Sequence, residues 1–389
     1  MYLSPSTDSG RPYRKAVNIL TGRKDYQGGG QIVTLLFYVI LHTMNNTKRV
    51  LITGAGGAIG CHLLAHVMHN TDWDVVATDS FRGEHKGYFD RVTEVCSQHP
   101  EWKERITVIQ HNLCAPFTER QIKDIGAVDY IVNLASRSDV QASVEDPVSF
   151  LRDNTELMIN MLEYARIVKP EVFLHFSTDE VYGPAPKESK GHPEWATILP
   201  SNPYSASKAM QEAMSVAYWR TYDVPVVITN TMNNFGEMQA PSKFPAMIQQ
   251  KLERDEEITV HASGGEIGTR YYLHSRNASD GVLFVLKNTE PQMHSFGEID
   301  KPSRYNIVGD KQVSNLDLVY IIADLMGKTP KIKMVDYHTN NAGHDLHYGL
   351  DGTLLESLGW TPPMTFEESL ENTINWHQEN PKWYESKDM

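Results

Sequence analysis

Short apolar runs alternate with stretches of helical period from about residue 49 to residue 230. Val50-Leu51-Ile52-Thr53, Val75 to Thr78, Ile106 to Gln110, Tyr130 to Leu134, Val172 to Phe176 and Val226 to Thr229 are each four or five residues long. That length suits buried strands and is too short for helices. Between them, amphipathic spacing predicts a helix running on from Gly60 to near His69-Asn70, and longer helices over Val148–Val168 and Tyr204–Tyr222. Strands alternating with helices imply a parallel sheet wound on both faces, with right-handed crossovers. After Asn233-Asn234-Phe235-Gly236 the alternation lapses. Helical stretches (Pro245–Arg254, Ala278–Leu286, Asn315–Met326, Phe366–His377) mix with strand signals at Ile258–His261 and Tyr305–Val308. The expected division is a nucleotide-binding domain over 44–235 and a smaller mixed α/β lobe over 236–389, with a cleft between them where ligands commonly sit.

Residues 1–43 resemble neither part. Their apolar run, Ile32 to Leu41, falls short of the ~20 residues of a spanning helix, and Leu41-His42-Thr43 offers no signal-peptidase site. Met44 stands directly before the first strand, so the leader is expected to be disordered or not native.

Composition narrows the class. With 36 basic and 49 acidic residues in 389, the chain carries a formal charge of −13, which repels nucleic acid and anionic membrane surfaces. Cys61, Cys96 and Cys114 lack metal-ligand spacing and suit reduced thiols in a cytoplasmic protein. The 16 histidines form no H-E-x-x-H or similar set, so no metal is expected.

The first strand runs into Gly54-Ala55-Gly56-Gly57-Ala58-Ile59-Gly60. Glycines at 54, 57 and 60 permit a tight turn, close approach of a pyrophosphate to backbone N–H groups, and tight packing of the following helix on its strand. An acidic residue, Asp79, ends the next strand, where it would accept hydrogen bonds from a ribose diol and repel a 2′-phosphate. This context predicts a Rossmann-type dinucleotide site that takes NAD rather than NADP, although Arg82 lies near enough to weaken the preference.

Two further segments carry chemistry. Phe176-Ser177-Thr178-Asp179-Glu180-Val181-Tyr182-Gly183 follows the fifth strand, and ligands in open α/β sheets sit at the carboxyl ends of strands. Asn202-Pro203 then introduces Tyr204-Ser205-Ala206-Ser207-Lys208; on a helix, Tyr204 and Lys208 stand one turn apart with Cβ atoms roughly 5–6 Å from each other. A phenol titrates near ~10, so service as a base at pH 7 requires about three units of lowering, or ~4 kcal/mol, for which a neighbouring ammonium has the right sign. Two adjacent carboxyls can split into one acid and one base. Consecutive residues of a strand point to opposite faces, so both carboxyls reach one substrate only if the chain leaves extended geometry at Asp179.

Together with Asn133-Leu134-Ala135 and Asn233-Asn234-Phe235-Gly236, these motifs resemble the extended short-chain dehydrogenase/reductase family, and within it the nucleotide-sugar 4,6-dehydratases, from about Lys48 to about His377. The resemblance implies a catalytic set of Thr178, Asp179, Glu180, Tyr204 and Lys208. Tyr204 would take the proton of the sugar C4 hydroxyl, Thr178 would hold that oxygen, Glu180 would remove the C5 proton, and Asp179 would protonate the departing C6 hydroxyl. NAD would rest against Gly54, Gly57, Ala58, Ile59, Gly60, Asp79, Asn112, Leu113, Leu134, Ala135, Tyr204 and Lys208. Asn233, Asn234, Lys243, Arg270 and His344 would meet a dTDP- or UDP-glucose type substrate, and the protein would be a homodimer. The chain departs from the family pattern at Asn341-Ala342 (Arg-Pro in the family), at Asn230 (Arg) and at Asp139 (commonly His). A 4-epimerase, a decarboxylase or a 5,6-dehydratase would share Tyr204 and Lys208; the Asp179-Glu180 pair speaks against a plain epimerase, which has no leaving group to protonate. A non-catalytic dinucleotide-binding regulator would not need these four side chains to converge.

Overall fold

The structure, a computed structural model, describes residues 47–81, 87–185, 189–288, 294–296, 299–336, 345–381 and 383. The expected leader, together with Arg82, Asn341, Ala342 and His344, lies outside these residues. The first half of the chain alternates β1 (Arg49–Thr53), α1 (Ala58–Asn70), β2 (Asp74–Asp79), α2 (Gly87–Gln98), β3 (Ile106–Gln110), α3 (Glu119–Ile125), β4 (Tyr130–Asn133), α4 (Val140–Glu145), α5 (Pro147–Val168), β5 (Val172–Thr178), α6 (Pro203–Tyr222) and β6 (Val226–Thr231). All six expected strands are present.

Period-two alternation divides the sheet into two cores. Val50, Ile52, Val75 and Ala77 face α1, whereas Leu51, Val76, Ile131, Phe173 and Ile228 face Leu157, Met158, Met161 and Leu162 of α5. Each of these Val, Leu, Ile, Phe and Met side chains contributes about 1.5–3 kcal/mol through burial. The two helices that matter most for the site start on strong local signals. Asp146 caps α5 by accepting from Ser149 N–H at 3.2 Å, with Pro147 in the first position. Asn202 and Ser205 form a reciprocal capping box at the start of α6, with Pro203 in the first position, where a missing N–H costs nothing.

The second half contains β7 (Asn233–Phe235), α7 (Phe244–Glu253), β8 (Glu257–Ser263), β9 (Glu266–Ile267), β10 (Thr269–His274), α8 (Ser275–Asn288), β11 (His294–Phe296), β12 (Ile299–Lys301), β13 (Ser303–Ile307), β14 (Gln312–Ser314), α9 (Asn315–Leu325), β15 (Lys331–Asp336), α10 (Thr353–Ser357) and α11 (Phe366–Glu379). It builds its own core from Phe235, Ile248, Ile258, Leu318, Ile322 and Phe366, around the small sheets β14-β10-β7 and β15-β8-β9. It also returns to the first half. β13 pairs in parallel with β6, completing a seven-stranded parallel sheet of order β13-β6-β5-β4-β1-β2-β3. Val282, Val285 and Leu286 of α8 join the core that holds α1. Periodicity marks Tyr305–Val308 as a strand but carries no sign of which sheet it enters. Among the described residues, no helix is long and apolar enough to cross a membrane.

Candidate active site

The carboxyl ends of β1, β2, β4 and β5 bring the expected residues to one edge of the sheet. After β1, Gly54 adopts φ +69°, and a Cβ there would lie 3.0 Å from the Ala135 backbone, so the turn passes directly against Leu134-Ala135 beyond β4. At Gly60 a Cβ would fall 2.1 Å from the Gly54 carbonyl oxygen, which no side chain tolerates. Helix α1 begins at Ala58, Ile59 and Gly60 behind Gly57, with neither a side-chain cap nor an acidic residue in its first turn. Its leading N–H groups and positive dipole end therefore suit a pyrophosphate. Asp79 ends β2, its oxygens accepting from Gly56 N–H at 3.0 Å and Phe81 N–H at 2.9 Å. Those bonds fasten the glycine turn to β2 and leave acceptor capacity on a carboxylate that has about four lone-pair sites. Beyond β3, Leu113 is buried, and the exposed Asn112 accepts from Cys114 N–H at 3.1 Å. A dinucleotide fits this edge, whose close approaches are backbone and glycine. Arg91 of α2 was not foreseen; it donates to Gly56 O at 2.9 Å and to Met238 O at 2.8 Å, tying the turn to the loop that follows β7.

At the end of β5 the chain does leave extended geometry. A 3₁₀ turn over Asp179–Tyr182 starts immediately after Thr178, whose hydroxyl accepts from Glu180 N–H at 3.3 Å and donates to Asp179 Oδ1 at 3.0 Å. Asp179 is 4 % exposed and its Oδ2 has no hydrogen-bond partner, while Glu180 is only partly covered. Burial, helped by the Glu180 charge, pushes the Asp179 carboxyl up to about 7. Burial also raises Glu180, against the opposing effect of Asn202, which donates to its Oε2 at 3.1 Å. The same Asn202 amide accepts from Ser205 N–H at 2.8 Å, so one side chain both caps α6 and holds Glu180. The sequence shows Asn202-Pro203 only as a helix start.

Tyr204 opens α6 beside this turn. Its N–H donates to Ser143 Oγ of α4 at 3.1 Å, its ring meets Phe150 edge to face at 6.4 Å, and its phenol shares a hydrogen bond with Thr178. The structure corrects one expectation here. Burial and the charges of Glu180 and Asp179 raise the phenol above its ordinary value, and the buried Lys208 ammonium donates to Phe176 O at 2.8 Å. Helical spacing puts Lys208 one turn from Tyr204, but its ammonium bonds to the end of β5. Burial lowers Lys208 itself to about 8, opposed by Glu212.

On the far side, the Arg270 guanidinium donates to the backbone oxygens of Thr269 (2.8 Å), Leu346 (2.6 Å) and Asp345 (2.7 Å) and lies 4.4 Å above the Tyr348 ring. It thus braces the 345–348 segment, and its charge acts on both Asp179 and Glu180. Lys243 precedes α7 and also acts on Glu180. Asn234 donates to Met232 O at 2.8 Å and leaves its Oδ1 without a partner, while Asn233 is exposed at the start of β7. Of the departures, Asp139 caps α4 by accepting from Ala142 N–H at 2.9 Å, and Asn230 donates to Thr178 O at 3.0 Å.

Comparison with known proteins settles the family. The family model described as GDP-mannose 4,6 dehydratase matches residues 51–373. The chain belongs to this family. The dTDP-glucose 4,6-dehydratase of Shigella flexneri is 30 % identical over 362 residues, covering 87 % of this chain and 95 % of that protein. A crystal structure of the dTDP-glucose 4,6-dehydratase of Streptomyces venezuelae, solved with NAD bound, superposes with a TM-score of 0.76 at 26 % identity and covers 88 % of this chain and all of that one. The UDP-glucose 4-epimerase of Thermus thermophilus shares the fold at 22 % identity, with a TM-score of 0.72. The GDP-mannose 4,6 dehydratase family thus agrees with the motif resemblance to nucleotide-sugar 4,6-dehydratases of the extended short-chain dehydrogenase/reductase type.

Proposed function

We propose that this protein is an NAD-dependent nucleotide-sugar 4,6-dehydratase that converts a dTDP- or UDP-glucose type substrate to its 4-keto-6-deoxy product. Residues 44–235 hold the cofactor, residues 236–389 supply the nucleotide side, and the working form is a cytoplasmic homodimer. The observation that carries this reading is the 3₁₀ turn that sets Asp179 and Glu180 beside Tyr204 and Thr178. An epimerase has no leaving group to protonate and no use for the second carboxyl.

Gly54, Gly57, Gly60 and Asp79 would hold the dinucleotide, with Ala58, Ile59, Leu134 and Ala135 lining it. Bound NAD supplies a hydride acceptor for C4 and later a hydride donor for C6, along with a positive ring that favours ionisation of Tyr204. The side chains move the protons. Tyr204 takes the C4 hydroxyl proton while Thr178 orients that oxygen, and the resulting ketone acidifies C5–H. Glu180 accepts the C5 proton, Asp179 donates its own to the C6 hydroxyl, and water departs. Glu180 then returns a proton to C5 as C6 is reduced, so the net change is loss of one water.

Incubating the protein with a panel of nucleotide sugars tests this directly. Mass spectrometry should show one water lost from a glucose-type member, with no consumption of added NAD; a product of unchanged mass but inverted C4 would discard the dehydratase reading. A pH dependence follows from the acid. Asp179 donates only while protonated and titrates at about 7, so water loss should fall as pH rises through that value. Asp179→Asn should remove that limb, and a limb at the same pH in the variant would refute the assignment.

A further inference from the structure

Behind the catalytic turn lies a buried ionic network. Glu212, one helical turn beyond Lys208 on α6, is fully buried, and its Oε2 accepts from Arg304 Nη2 of β13 at 2.7 Å; Arg304 is 1 % exposed. The other carboxylate oxygen accepts from Asn230 Nδ2 at 2.8 Å, and that same amide donates to the Thr178 carbonyl at 3.0 Å. Arg304 Nη1 donates to the Tyr182 hydroxyl at 2.8 Å and to Glu194 O at 3.0 Å. Thr178 and Tyr182 are the two ends of the segment that carries Asp179 and Glu180. One carboxylate and one guanidinium therefore grip that segment at both ends, from an element more than ninety residues further along the chain than Glu212.

We propose that the Arg304–Glu212 pair, acting through Asn230 and Tyr182, is a positioning device for the Asp179-Glu180 turn, and that Glu212 is the counter-charge of Lys208. The proposal deepens the dehydratase reading and rests on it. Stability alone does not account for the pair, since a buried ion pair is often no better than well-packed apolar residues of similar volume. What the pair supplies is direction: through Asn230 it reaches the Thr178 carbonyl, and through Arg304 Nη1 the Tyr182 hydroxyl, the two groups that flank the reactive carboxyls. Tyr204 and Glu212 stand one helical turn either side of Lys208 on α6, and His175 of β5 feels its charge. His175 on β5 is kept neutral by burial together with the charges of Lys208 and Arg304, and Tyr204 is uncharged when protonated, which leaves Glu212 as the opposing charge that sustains the ammonium.

The test uses the full chain with bound NAD and two variants. Glu212→Gln keeps the shape and removes the charge; Arg304→Met combined with Glu212→Gln removes both charges at similar volume and serves if the single variant fails to fold. NMR of isotope-labelled lysine should show Lys208 titrating about one unit lower in the variant, a result that does not depend on which sugar the protein accepts. With the substrate found by the panel, kcat for water loss should fall about tenfold to a hundredfold while KM stays within about twofold, the pattern of a displaced turn and not of a lost binding contact. A Lys208 titration that does not move, or a kcat that stays at the wild-type value, would overturn the proposal. Failure of the dehydratase reading itself would instead show as no water lost by the wild-type protein.

Discussion

Glu180→Gln should oxidise its sugar and then stall. The amide cannot accept the C5 proton, so water loss should drop by about 10²–10⁴, or ~3–5 kcal/mol at the barrier. The oxidation machinery of Tyr204, Thr178 and Lys208 is untouched. The Glu180 charge is also one of the influences that raise the Tyr204 phenol, after burial, so its removal should make that phenol ionise more readily. The expected signature in a single turnover is reduced nicotinamide that builds up on the enzyme, read by its near-ultraviolet absorbance, with no dehydrated sugar. Full dehydratase activity in this variant would remove Glu180 from the role of base.

Tyr204→Phe should stop one step earlier. Without the phenol no group takes the C4 proton, so neither reduced cofactor nor dehydrated product should appear, again with a loss of about 10²–10⁴ in rate. Folding should survive. The ring contact with Phe150 at 6.4 Å is kept, and the hydrogen bond shared with Thr178 contributes only about 1 kcal/mol. Together the two variants bracket the ketone: one halts before hydride leaves the sugar, the other after it. Appearance of reduced cofactor in Tyr204→Phe at the wild-type rate would place the base elsewhere.

Much of this arrangement is legible in the linear chain because its determinants are local. The strands at Val50, Val75, Ile106, Tyr130, Val172 and Val226 announce themselves by short apolar runs, and Gly54, Gly60 and Asp79 by their spacing against those runs. The exit from extended geometry at Asp179 is the condition under which two neighbouring carboxyls can share one side of the chain, and the 3₁₀ turn meets it. What stays hidden is tertiary. Arg91, Asn202 and Arg304 act through partners 35, 22 and 92 positions away, at which distance no periodicity operates. Lys208 shows the same limit in reverse, since helical spacing identified its neighbour along the helix while the Phe176 carbonyl, 32 positions away, sets where its ammonium rests. Asn230 read as a departure from the family pattern; in the fold it is the amide that joins Glu212 to Thr178.

Strand β13 has a consequence for the order in which the enzyme matures. Because Ser303–Ile307 forms the outer edge of the same sheet that begins at Arg49, the ribosome must deliver most of the polypeptide before that sheet can close. Long-range pairing of this kind is slow to form and leaves an earlier edge strand, β6, exposed in the meantime. A nascent chain could therefore grip the dinucleotide well before it could carry out the elimination, so cofactor loading would come ahead of catalytic competence.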